Sequence, residues 1–191
     1  AGLAARIAQA LIDRGFRLAE RCSDRLDRMA GCEQPQNLDT HPLVRQYFGK
    51  RLSELHPESW RQAHVRLYEH FKAAAKELPD TLEEMEPLFA AVRHGCAAGM
   101  HQQAMDDVYW KRIKRQDEHY LTSKLGAFAA DLAVVAHFFS EPWRTPAAGL
   151  TDADKALVLS WAAFNLRALG RLTEAAEPMQ AGLEMRLQQE N

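Results

Sequence analysis

Apolar residues recur at three- and four-residue steps along almost the whole chain, the spacing of helices that bury one face. The clearest stripe runs through Trp60, Ala63, Leu67, Phe71, Ala74 and Leu78. Pro57 and Glu58 stand at its head, suited to a first helical turn and to the positive end of the helix dipole. Pro79 and Asp80 close it. Thr81-Leu82-Glu83-Glu84 has the form of a capping box and opens the next helix, through Leu88, Val92 and Cys96 to a stop at Gly99. Pro87 is comfortable only in a first turn, so regular helix is expected from about Met85.

Further helices are expected over residues 4–18 (Ile7, Ala8, Leu11), 17–29 (Cys22, Leu26, Met29) and 43–55 (Val44, Tyr47, Phe48, Leu52). More follow over 102–114 (Met105, Val108, Tyr109, Ile113), over 121–139, rich in alanine, and over the segment from the Thr151 cap to Leu169. Gly170 breaks that segment, and a last helix covers 173–188, with Pro178 expected to bend it. Residues 33–37 read as a polar loop and 141–149 as a linker. Outside residues 38–41, held extended by Pro42, no run alternates as a strand would. The class is all-α.

Two segments share a pattern. In both, a glycine (Gly99, Gly170) lies five residues before an alanine (Ala104, Ala175), and the two glycines are 71 residues apart. A glycine ends one helix and turns the chain, and a small residue on the next lets the backbones approach. In the second unit Ala163, Ala175 and Gly182 are the small contacts. Leu159, Leu166, Leu172, Met179 and Leu183 are expected to fill the remaining gaps.

Ala168 to Met179, Ala-Leu-Gly-Arg-Leu-Thr-Glu-Ala-Ala-Glu-Pro-Met, resembles the centre of a tetratricopeptide repeat, and the 71-residue offset is about twice that family's period of roughly 34 residues. The resemblance implies helical hairpins stacked as a right-handed superhelix, with a concave groove that takes a protein or peptide. Its groove-facing candidates are Phe89 and Arg93 in the first unit and Ser160, Phe164 and Arg167 in the last. Upstream, Leu38-Asp39-Thr40-His41-Pro42-Leu43-Val44-Arg45 is similar to the winged-helix exit of bacterial signal-transduction ATPases of the STAND class. That likeness implies a winged-helix remnant or helical segment over residues 1–56 and a repeat domain over 57–191, the whole being a piece of a longer signalling NTPase. It makes His41 a nucleotide-contact candidate in the intact parent.

Charge and chemistry narrow the function. With 24 basic and 26 acidic side chains the net charge is -2, which gives no electrostatic footprint for nucleic acid or an anionic membrane. Three scattered cysteines (Cys22, Cys32, Cys96) suit a reducing compartment better than a disulfide framework, and no stretch of about 18 apolar residues is present, so a cytoplasmic location is expected. The chain lacks a phosphate loop and a Gly-x-Gly-x-x-Gly turn. His64 and His70, or His94 and His101, lack the i, i+4 spacing of two metal ligands on one helical face, so neither metal nor other cofactor is expected. Cys96 and His94 are two residues apart and point in different directions on a helix. The basic run Lys111-Arg112-Ile113-Lys114-Arg115 is expected to serve the C-terminal dipole of its own helix. The expected function is therefore binding without catalysis. The rivals are a small helical enzyme using Cys96 or histidines, and a structural oligomerisation segment.

Overall fold

Proline opens the first two helices of the computed structural model, which describes residues 42–189. Helix α1 (Pro42–Leu55) is followed by α2 (Pro57–Ala74), with Pro57 in its first turn and Glu58 beside it. Helix α3 (Leu82–Ala97) starts at the expected cap: the Thr81 hydroxyl accepts from the Glu84 amide, while the Glu84 carboxylate accepts from the amide of Asp80. Regular helix begins at Leu82, earlier than Met85, and continues through Pro87. Next come α4 (His101–Ala104), a π-helix (Met105–Lys114), a 3-10 turn (Gln116–Glu118), α5 (Tyr120–Ser123), α6 (Phe128–Val135) and a second 3-10 turn (Ala136–Phe138). Strands β1 (Phe139–Glu141) and β2 (Thr145–Pro146) then form a small antiparallel hairpin, and α7 (Asp152–Ala168) and α8 (Leu172–Gln189) complete the described chain. The class is all-α. His41, the winged-helix reading of the preceding residues and the expected helices over 4–29 lie outside the described residues, and Leu43–Asn191 form one compact unit.

The two glycine turns are built alike. Gly99 and Gly170 have φ of +78° and +76°. In the first turn Met100 N–H donates to the Gly95 carbonyl and Gly99 N–H to that of Cys96. In the second, Arg171 donates to Leu166 and Gly170 to Arg167. These are the paired bonds of a Schellman motif, which needs a left-handed residue after the helix and so selects glycine. Ala104 and Ala175 are buried, as the pattern predicts. A Cβ built at Gly182 would lie 3.3 Å from that of Leu159, so α7 and α8 approach at a side-chain-free point.

Packing corrects the predicted stripe on α2. Its core-facing row is Trp60, His64, Tyr68, Phe71 and Ala75, with Tyr68 fully buried, whereas Leu67 and Leu78 are exposed. Histidine and tyrosine have apolar bodies with polar tips, and here they outcompete leucine for the interior. Leu172, Met179 and Leu183 do not fill the α7–α8 gap as expected. Each is at least half exposed, because Ala175, Pro178 and Gly182 already close that contact.

The middle of the chain departs most from its pattern. Residues 105–114 wind as π-helix, and the expected helix over 121–139 breaks at Lys124–Ala127 and again after Phe138, where the hairpin begins. Three non-glycine residues after the π-helix, Arg115, Gln116 and His119, have positive φ, and so has Trp143 at the hairpin tip. Each such residue carries a strain of order 1 kcal/mol, which surrounding contacts must hold.

Candidate functional site

A sealed polar cluster lies beneath the π-helix. Asp131, on α6, is fully buried and accepts three hydrogen bonds: from Tyr109 Oη (2.7 Å), Lys114 Nζ (3.1 Å) and Asn165 Nδ2 (2.7 Å). Tyr109 and Lys114 are an i, i+5 pair, which an ordinary α-helix would set about 140° apart. The wider i→i+5 winding brings both to one face. The Lys114 ammonium also lies 5.0 Å from the centroid of the Trp161 ring. Burial, then the Asp131 charge, holds the Tyr109 phenol well above its ordinary range. Asn165 Oδ1 is buried without a partner. With Lys114 and Asp131 this deep, no substrate reaches them. The cluster ties the π-helix to α6 and α7.

Arg112, two residues before Lys114, ties the same π-helix in the other direction. Its guanidinium donates to the carbonyls of Lys72 (2.8 Å), Ala75 (3.0 Å), Lys76 (2.9 Å) and Glu77 (3.2 Å), at and just beyond the C-terminus of α2. Arg115 donates to the Pro79 carbonyl and Asp80 and lies over the Tyr120 ring, and Lys111 pairs with Asp107. The basic run thus caps a neighbouring helix and feeds a core ion pair, where service to its own helix end was expected.

The accessible chemistry sits on α2 and α3. His64 and His94, on neighbouring helices, bring their Nδ1 atoms within 2.8 Å. His94 stacks on Phe71 with centroids 5.5 Å apart, and Trp60 meets His64 edge-on at 4.2 Å. Arg93 reaches His94 Nε2 at 3.5 Å. Arginine has only donors, so this contact leaves the His94 proton on Nδ1, which donates to His64 Nδ1. Burial pushes His94 down to about 4, helped by the charges of Arg93, His64 and His137. His64 and His137 are lowered as well, by burial first and Arg93 second.

Of the residues predicted to line a groove, Arg93 is exposed within this histidine group, and Phe89 packs partly buried against the core. On α7, Phe164 is exposed and tilts against Phe128 at 5.9 Å, Arg167 is exposed, and the Ser160 hydroxyl donates to the Ala156 carbonyl. Among the described residues no hydrogen bond or ring contact joins the α3 pair to the α7 trio. The pairing of His64 with His94 bridges thirty residues, which spacing along one helix does not reveal. Its signal was the place of His64 between Trp60 and Tyr68 at four-residue steps. Cys96 is buried, and burial pushes its thiol up to about 12, which disfavours the reactive thiolate. Among the described residues no group of three or more histidine, cysteine or acidic side chains could hold a metal ion, and no helix is long and apolar enough to cross a membrane.

Set against models of protein families, curated proteins and solved structures, the chain has no match in any of the three.

Proposed function

We propose that the chain is a non-catalytic protein-interaction module of tetratricopeptide-like helical hairpins, serving as the sensor or scaffold part of a signalling NTPase of the STAND kind. In such a parent a bound partner relieves an inhibited ATPase. The observation that carries the binding reading is the outer face of α8. Leu172, Met179 and Leu183 are 66%, 50% and 58% exposed, with Ala176 between them, at the three- and four-residue steps of one helical stripe. The exposed Phe164 and Leu169 of the neighbouring helix and turn add to the apolar surface. A large apolar stripe in water is unfavourable unless something covers it, and such patches mark protein contacts.

The fitting occupant is an amphipathic helix of a partner. The opposite face of α8 already accepts a helix, α7, and charges along the first half of the stripe pair with one another: Arg171 with Glu174 and Arg144 with Glu177. What remains is apolar attraction, which a row of leucine-type side chains satisfies.

Panning a displayed peptide library against the chain tests this. Enriched peptides are expected to share apolar residues at helical spacing and to lose binding to the Leu172→Glu/Met179→Glu/Leu183→Glu variant, whose melting temperature stays within a few degrees. Enrichment of peptides that bind the variant equally well, or no enrichment, refutes the reading. So does a variant that unfolds, since the stripe would then belong to the core.

A further inference from the structure

We infer that Arg93, His94, His64 and His137 form a proton-coupled anion site that takes a carboxylate of an acidic peptide segment. The inference rests on the binding reading above but uses a different surface, so either can fail alone.

Three basic side chains meet here, a fourth, His137, acts on them through its charge, and no acid is paired to any of them among the described residues. His64 comes from α2, Arg93 and His94 from α3, and His137 from the 3-10 turn packed on α3. The charged and titratable groups that act on His94 are Arg93, His64 and His137, and no carboxylate of the π-helix or α6 is among them. Arg93 is exposed and makes no ion pair among the described residues, in contrast to Lys72, Lys76, Lys111, Arg112, Lys114, Arg115, Arg144, Lys155 and Arg171. What sets Arg93 apart from the other unpaired arginines is its contact with the His94 ring, which aims the guanidinium at the histidine pair.

The ligand's chemistry follows from the charge count. Arg93 supplies one permanent positive charge and a planar fork of donors, the shape that recognises a carboxylate. The histidines are neutral at physiological pH, which suits a monoanion. A phosphate dianion costs more to desolvate against the single charge that is permanent. When the carboxylate accepts from Arg93, the guanidinium releases His94 Nε2, and the added negative charge favours a proton there. The ring then donates to the same carboxylate. Proton uptake from solution accompanies anion binding and grows as the pH falls, and no covalent bond changes. Phe71 and Trp60 wall the site with apolar surface, which strengthens the charge interactions inside.

The test follows the imidazole resonances of histidine-labelled protein by NMR while a hexaglutamate peptide, sodium acetate or inorganic phosphate is added at constant ionic strength. The peptide is expected to shift His64 and His94 saturably. Its affinity should rise about two- to fivefold from pH 7 to pH 6, below the tenfold that uptake of a full proton would give, because burial holds the free His94 ring far below neutrality. Arg93→Gln, an exposed change that leaves the fold intact, should abolish saturation, and the triple glutamate variant of α8 should bind as the native chain does. Absence of saturable shifts, equal binding by Arg93→Gln, no pH dependence, or tighter binding of phosphate than of the peptide each overturns the proposal.

Discussion

Replacing Asp131 by asparagine tests the account of the buried cluster, because it removes one charge and almost no volume. The carboxylate is fully buried and accepts from Tyr109, Lys114 and Asn165. Its loss leaves the Lys114 ammonium, only 1% exposed, without a counter-charge. Breaking a buried pair from one side costs about 3–5 kcal/mol. Stability of domains in this size range is about 5–15 kcal/mol, so about a fifth or more is at stake. Adding Lys114→Met removes the stranded charge. The introduced amide can then take the Tyr109 proton and, after an amide flip of Asn165, donate to the Oδ1 that has no partner in the native chain. The double variant is therefore expected to regain about 2–4 kcal/mol of what the single variant loses.

Urea unfolding followed by tryptophan fluorescence measures this directly, since Trp161 lies against the Lys114 ammonium and stacks on Trp110. At a slope of about 2–3 kcal/mol per molar urea, the Asp131→Asn midpoint should fall by about 1–2 M and the double variant should recover most of it. If Asp131→Asn stays within 1 kcal/mol of the native chain, or if Lys114→Met fails to rescue it, the ion pair does not hold the π-helix to α6 and α7.

Other outcomes follow from single contacts. Gly95→Ala is expected to destabilise the fold by about 1–3 kcal/mol, since its Cβ would lie 2.9 Å from the buried Tyr68 ring and 3.0 Å from Ala104 Cβ, a thermal-melting measurement. Gly170→Ala, with open space around it but φ of +76°, should lose only about 1 kcal/mol. Arg112→Lys keeps the charge but not the fork that reaches four carbonyls, and should lower stability by about 1–3 kcal/mol, with hydrogen exchange rising first at the end of α2. For the histidine pair, burial lowers the folded value of His94 to about 4 while the unfolded chain titrates near 6.5. The unfolded state binds more protons in between, so stability is full above about pH 6.5 and falls as pH drops toward 4. For these half-exposed rings the loss is about 1–2 kcal/mol, and the gap between urea midpoints at pH 7 and 5 should narrow in His94→Phe, the remainder coming from His64, His101 and His137.

The ends of the repeat pattern were legible because they rest on local chemistry. The Thr81 and Thr151 caps, Pro57 and the Gly99 and Gly170 turns each act through their own backbone neighbours, and each holds in the fold. The middle was not legible. Nothing local distinguishes α-winding from π-winding in Met105 to Lys114, since the difference lies in whether Tyr109 and Lys114 must meet the same partner 17 to 22 residues on. A signal was present in Asp131, an acid inside the apolar run Phe128 to Val135, which demands a buried partner if that helix is covered. The groove candidates were drawn from likeness to a repeat, and what separates Phe89 from Arg93 is burial set by packing of other elements.

The π-helix explains why binding is proposed at the outer surfaces and not at the centre. Arg112 and Lys114, two residues apart, pin it to the end of α2 on one side and to the α6–α7 core on the other. Both contacts are dense and buried, so a ligand entering there would strand charges at a cost of several kcal/mol, more than a small contact returns. The open features lie away from it: Arg93 with its histidines on α2 and α3, and the apolar stripe on α8. A rigid middle that has consumed its own charges leaves those two faces as the parts free to gain energy from a partner. It also holds their supporting helices in one arrangement, which lowers the ordering entropy that binding as proposed would have to offset. Loosening the centre by Asp131→Asn should therefore weaken peptide binding at either face even though no residue there has changed. Equal affinity in that variant, measured below its unfolding transition, would mean that each face is organised by its own hairpin alone.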